Sequence, residues 1–126
     1  MATPIPSAIP FVREMTFAYG APAKVSPLIT RVIANNPEDG EAYSRRGHAH
    51  FESGHKAEAF QDYRAASELG NASAQNQLGT FYWEGIVVKQ DKSEALKWFK
   101  RAAAKGDKGG QENLKQALAE MPAEKR

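Results

Sequence analysis

The run LGTFYWEGIVVKQDKSEALKWFKRAAAKGD, Leu78 to Asp107, decides the fold. With the residues just before it, it predicts a helix over Ala72–Glu84, a loop marked by Gly85 and closed by Asp91, and a second helix over Ser93–Lys105. In that second helix Ala95, Leu96, Phe99, Ala102 and Ala103 recur at the three- and four-residue spacing that puts them on one inward face. Gly106 supplies a natural stop. The unit is one α-helical hairpin, and the wider stretch Ala74 to Leu114 is organised around it.

The segment upstream repeats the plan. Glu41–Glu52 is expected to be helical and to break at Gly54; Lys56–Leu69 follows, with Ala59, Phe60, Tyr63, Ala66 and Leu69 on one face, and ends at Gly70. Gly47 and Gly79 stand 32 residues apart, while Ala59 and Ala95, like Ala66 and Ala102, stand 36 apart. Each hairpin thus has small residues where two helices must approach closely, and a ring four residues after the first alanine, Tyr63 or Phe99. One hairpin cannot bury such a face alone, so stacked neighbours have to complete the core. Downstream, Gln111–Met121 carries Leu114, Leu118 and Met121 on one face. Upstream, Ser26 as N-cap and Pro27 at the first helical position predict a helix start, with Leu28, Ile29, Val32 and Ile33 at helical spacing and Asn36-Pro37 as its end. Residues 1–22 read as a proline-containing lead-in with a short helix over Phe11–Tyr19, stopped by Gly20 and Pro22; residues 23–121 form the repeat domain and 122–126 a polar tail. The only β-branched run, Ile86 to Val88, falls in the loop, and the chain is expected to be all-α.

On these residues a resemblance can be stated. Residues 40–71, with Tyr43, Gly47, Ala59, Tyr63 and Ala66, resemble a tetratricopeptide repeat. Residues 72–107 resemble the SEL-like variety of that superfamily more closely, through Leu78-Gly79, Tyr82, Gly85, Val88, Asp91, Ala95, Trp98-Phe99, Ala102-Ala103 and Gly106-Asp107. Val25, Ile29, Val32 and Asn36-Pro37 resemble the second helix of a degenerate unit, and Gln111, Asn113 and Leu114 the start of a further one. The resemblance implies a short right-handed α-α superhelix of about three hairpins, acting as an adaptor without catalytic residues of its own. The chain departs from the family pattern at four places. Arg46 and His50 replace a leucine and a tyrosine, which predicts looser packing; Val87 stands at a usual loop glycine; Lys115 replaces the glycine expected after Leu114.

Composition narrows the chemistry. The 126 residues suit a single domain. Seventeen basic and fifteen acidic side chains give +2, too slight a bias to predict nucleic acid or a membrane surface as partner. The chain has no cysteine, hence no thiolate nucleophile, thiolate metal site or disulfide. No apolar run approaches the roughly 20 residues that span a bilayer. MATPIPSAIPF lacks the basic start and apolar core of a signal peptide, so a cytoplasmic protein is expected, although a chain whose leader had been removed would read the same way. The basic cluster between Lys97 and Lys108 reads as a solvated helix face.

Two arrangements compete for the site. In a helical stack the first helix of each hairpin lines the concave face. There Trp83, its equivalent Phe51 and, 34 residues earlier, Phe17 could form an aromatic stripe flanked by Glu41, Ser44, His48, Glu52, Asn76, Thr80 and Glu84. Rings amid polar residues suit a peptide groove because they bury large area at low entropic cost. Core packing under terminal segments is the bland reading of Phe17 and Phe51. Ser44 and His48 stand where carboxylate-clamping tetratricopeptide domains have asparagine and lysine, so that ligand is not expected. The competing site is HAHFESGH, whose HxH matches the start of the HxHxDH of metallo-β-lactamase-type hydrolases. Helical residues two apart diverge, and His55 can reach at most one of His48 and His50, so packing and surface roles are favoured. The expectation is therefore a non-enzymatic module without cofactor that holds a peptide or protein segment in a concave groove. The lead-in could fold back into that groove. The alternatives are a small metal-binding or hydrolase-related protein using His48, His50 and His55, or a self-associating homo-oligomer.

Overall fold

The computed structural model describes the backbone of residues 20–126 and the side chains of residues 27–126. Its elements are α1 (Gly20–Asn35), α2 (Gly40–Glu52), α3 (Lys56–Glu68), α4 (Ala72–Glu84), α5 (Lys92–Ala104), α6 (Lys108–Glu120) and a closing 3-10 turn (Ala123–Lys125), with no strand among the described residues. Aspartate or asparagine starts four of the helices. Asp39 accepts from Ala42 N at 3.1 Å, Asn71 from Ala74 N at 2.8 Å, Asp91 from Glu94 N at 3.0 Å and Asp107 from Gly110 N at 2.7 Å. Each such cap satisfies an amide the helix leaves unpaired, worth about 1 kcal/mol. The cap at Asp107 places the start of α6 three residues before the expected Gln111, with Gly109 and Gly110 in its first turn.

The amino-terminal boundary differs from the sequence expectation. Pro27 lies inside α1, and Gly20 and Pro22 belong to its opening turn instead of ending an earlier helix. A proline is tolerated in a first turn because its missing amide would be unpaired there; Pro27 costs one interior hydrogen bond, and the helix continues on both sides. The end at Asn36-Pro37 stands, with Asn36 N closing on Val32 O at 2.9 Å. The short helix expected over Phe11–Tyr19 and the groove residue Phe17 lie outside the described residues.

Each helix packs on its sequence neighbours, and α4 also meets α6. Asn71 Nδ2 donates to Glu41 Oε1 at 3.2 Å, and the Phe51 and Phe81 rings lie 5.7 Å apart, so α2 touches α4 as well. Alternate helices α2, α4 and α6 therefore form one layer, backed by α3 and α5. This is the solenoid arrangement, all helical, that stacked hairpins require. One core cluster joins Ala59, Phe60, Tyr63 and Ala66 of α3 to Ala74, Leu78 and Phe81 of α4. A second joins Ala95, Leu96 and Phe99 of α5 to Ala117 and Met121. Tyr82 packs against both and ties the hairpins together.

The repeated small residues sit where the backbones come closest. A Cβ on Gly47 would lie 3.1 Å from the Tyr63 ring, and one on Gly79 would lie 2.6 Å from the Phe99 ring and 3.2 Å from Ala95 O. The α5–α6 contact uses the same device, Gly110 against the Ala102 methyl. In the α4–α5 loop, Gly85 caps α4 in the left-handed region, and Val87 holds φ at 70°. The loop thus holds a β-branched residue in the left-handed region, a costly conformation.

Candidate functional site: the α2–α4–α6 face

Between α4 and α6 lies a cavity of about 140 Å³. Its apolar walls are Trp83, Phe99 and Ala117, and its polar rim is Thr80, Glu84, Asn113 and Gln116. The Trp83 indole is half-buried, tilted against Phe99 at 6.2 Å between ring centroids, with Lys92 Nζ 4.7 Å from its centroid. Gln90 Nε2 donates to the Trp83 carbonyl at 2.9 Å, and Asp91 N to the Tyr82 carbonyl at 2.8 Å. These bonds pin the end of α4 to its loop, so Trp83 is presented from a fixed backbone.

The structure brings Thr80, Trp83 and Glu84 together at this cavity and assigns the other expected groove residues to different tasks. Asn76 accepts from Asn113 Nδ2 at 2.7 Å and takes Thr80 Oγ1 on its carbonyl at 3.2 Å, so it fastens α4 to α6. Phe51, 36% exposed, lies against Phe81 with Lys56 Nζ 5.9 Å over its ring, and is not among the cavity walls. His48 and Glu52 are exposed and pair with each other at 3.2 Å, one turn apart on α2; Ser44 is half-buried one turn earlier. Glu41 pairs with Arg45 at 3.1 Å. Sequence reasoning missed Asn113 and Gln116. The signal was available: Gln116 follows Thr80 by 36 residues, the same spacing that separates Leu78 from Leu114.

A second recess, of about 300 Å³, lies between α1 and α2, with Ile29, Val32 and Ala42 beside Asp39, Glu41 and Arg45. It was not foreseen, since the sequence reading assigned Ile29 and Val32 to the helical stack.

The histidines of HAHFESGH separate as their helical spacing requires. His48 turns outward to Glu52, while His50 is half-buried with Nε2 3.9 Å from Asp62 Oδ2; His50 and His55 rings stand 5.9 Å apart. No group of three or more histidine, cysteine, aspartate or glutamate side chains is positioned to hold a metal among the described residues. What organises this region is Arg46. Its Nε and Nη2 each donate to the buried Asp62 carboxylate at 2.8 Å, and Nη1 donates to Thr30 of α1 at 3.1 Å. Its hydrogen bonds to Asp62 hold the guanidinium still more firmly protonated than usual. Arg46 and His50 therefore do not loosen α2, as their departure from the family pattern predicted. A bidentate ion pair takes the place of an apolar contact and binds three helices. Burial pushes the His50 imidazole below its ordinary range despite the nearby Asp62, and pushes the Tyr63 phenol up to about 12, aided by Glu52 and Asp62. Both therefore stay neutral at pH 7.

Comparison with known proteins agrees with this architecture. Residues 72–107 match the Sel1 repeat family model. Over 100 residues, 77% of the chain, it is 30% identical to the ERAD-associated E3 ubiquitin-protein ligase component HRD3A of Arabidopsis thaliana, covering 14% of that protein. Over 60 residues, 48% of the chain, it is 42% identical to an F-box protein of the same plant, covering 16% of it. A solved Sel1 repeat protein from Oxalobacter formigenes superimposes with a TM-score of 0.64 at 31% identity, over 80% of this chain and 45% of that one. The chain thus spans less than half of each of these proteins. A matched repeat over residues 72–107, a helical layer built on its glycines and alanines, and a solved neighbour of the same architecture show that this chain carries a Sel1-like repeat and is similar to the SEL-like helical-repeat family.

Proposed function

We propose that this chain is a non-catalytic interaction module that holds a segment of a partner protein against the α2–α4–α6 face, with Trp83 as its anchor. Sel1 repeat proteins are generally protein–protein interaction modules, which supports the general reading. The observation that carries the specific one is the half-buried Trp83 on the wall of a cavity of about 140 Å³ with a polar rim. Small-molecule and cofactor sites run to about 300–1,000 Å³. A space near 140 Å³ is closer to what one benzene-sized group fills. It suits a single side chain from an extended or helical segment, with Phe51 and the Ser44, His48 and Glu52 surface offering further contact along α2. One plant relative is named as a component of an E3 ubiquitin-protein ligase, where a repeat segment joining protein components would serve the same purpose.

Site-selective crosslinking tests this reading, and the absence of native cysteine makes it clean. A benzophenone attached at Thr80→Cys or Gln116→Cys should crosslink partners in an extract of the source cells, and one at Lys97→Cys on the exposed side of α5 should not. Crosslinks obtained from Lys97→Cys alone would place binding on the opposite face.

A further inference from the structure

The charge on the polar rim of the α4–α6 cavity is uncommitted, unlike the two carboxylates of α2. On α2, Glu41 is paired with Arg45 and Glu52 with His48. Glu84 forms no ion pair and Gln116 no hydrogen bond among the described residues. The Asn113 amide nitrogen is spent on Asn76, which leaves its oxygen free to accept, and the Thr80 hydroxyl donates back to its own helix. The rim therefore offers acceptors, one of them a full negative charge, beside an indole. That ring already attracts a cation on this chain, the Lys92 ammonium at 4.7 Å.

Resting on the groove reading above, we propose that the cavity takes a lysine or arginine side chain of the partner segment. The aliphatic stem would lie along Trp83 and Ala117, and the cationic head would meet Glu84 with Asn113 and Gln116 as further acceptors. A carboxylate would instead face Glu84 with no free donor but the Gln116 amide, and Lys92 is engaged on the ring. A purely apolar side chain would leave the rim acceptors to water alone. Among the described residues Lys92 is the one competing cation at the ring, so its removal should favour the incoming charge.

A library of random linear twelve-residue peptides, displayed on phage and panned on the folded chain, supplies the probe. Peptides that bind the wild type and fail on Trp83→Ala should share a lysine or arginine. Replacing that residue by norleucine should weaken binding about three- to tenfold, as should Glu84→Gln. Lys92→Met should strengthen binding, and rising salt should weaken it for the wild type but hardly for Glu84→Gln. Glu84 is exposed, so its replacement leaves the fold intact, and circular dichroism is to be recorded on Trp83→Ala to check that it folds. Peptides that depend on Trp83 yet tolerate both norleucine and Glu84→Gln would overturn the basic-residue assignment while sparing the groove. Peptides indifferent to Trp83→Ala would overturn the groove and the assignment with it.

Discussion

Adding one methyl group at Gly79 and one at Gly47 tests the stacking geometry, because the two glycines occupy the same repeat position with different clearances. At Gly79 the new Cβ would meet Phe99 Cε1 at 2.6 Å and Cδ1 at 2.7 Å, with Ala95 O at 3.2 Å behind them. Phe99 is 3% exposed and cannot rotate away without displacing the second core cluster. Overpacking of a filled core costs about 1–3 kcal/mol. Alanine in a helix interior returns about 0.8–1 kcal/mol over glycine. Contacts at 2.6 and 2.7 Å put the strain in the upper half of that range, about 2–3 kcal/mol, so the net expectation for Gly79→Ala is a loss of about 1–2 kcal/mol, or about 4–8 °C in Tm for a chain of this size. At Gly47 the closest atoms, Tyr63 Cδ1 and Cε1, lie at 3.1 Å, a conflict that a shift of a few tenths of an ångström relieves. There the propensity gain offsets most of the strain, and Gly47→Ala should lie within about 1 kcal/mol of wild type. Urea unfolding followed by circular dichroism at 222 nm measures both. A Gly79→Ala chain at least as stable as wild type, or one more stable than Gly47→Ala, would refute the reasoning, because the α4–α5 approach would then be looser than described.

Three further perturbations address other parts of the structure. Arg46→Leu leaves the Asp62 carboxylate buried without its partner and should cost about 3–5 kcal/mol by urea unfolding, most of it recovered in Arg46→Leu/Asp62→Leu. Val87→Gly should be more stable than Val87→Ala by about 1 kcal/mol, since both remove the side chain and only glycine relieves the left-handed backbone; at an unstrained site the order would reverse. Because burial holds His50 below its unfolded value near 6.5, the unfolded chain binds the proton better, so stability is full above about pH 6.5 and falls as pH drops through it. His50→Gln should flatten that decline below about pH 6.5 in equilibrium unfolding, and an unchanged slope would remove His50 from the explanation.

The stack was legible because its signals are local and repeated. Gly79, Ala95, Phe99 and Ala102 recur at fixed spacing, and every one lies in a helix contact of the kind the spacing implied. Boundaries were readable where a short polar residue caps a helix, and misread where the capping residue precedes glycines, as at Asp107, or where a proline mimics a start, as at Pro27. The Arg46–Asp62 pair was not legible. Periodicity marks Asp62 only as a polar residue beside Tyr63, and its burial at 5% exposure depends on a partner 16 residues away in the preceding helix. The site was half legible for the same reason. Trp83, Thr80 and Glu84 share one helix and fall to a spacing argument, whereas Phe51 packs from α2 against Phe81 and their cavity opens toward α6, a choice of neighbour that no periodicity encodes.

That division separates scaffold from surface along the same helices. Close approach of α2 to α3, α4 to α5 and α5 to α6 is carried by glycines and alanines beneath rings or methyl groups, and register within the layer by Asn71 with Glu41 and Asn76 with Asn113. Once those contacts are made, Glu84 and Gln116 have no structural task among the described residues, yet they flank the one tryptophan that the layer holds half-open. A buried polar side chain has to be satisfied within the fold, but a rim residue can be satisfied by water until something replaces the water. Trp83 belongs to both sets: it packs on Phe99, so its truncation touches stability as well as binding. Glu84 and Gln116 do not, and a binding defect in either without a change in unfolding free energy is the signature that distinguishes a contact surface from a loosened stack.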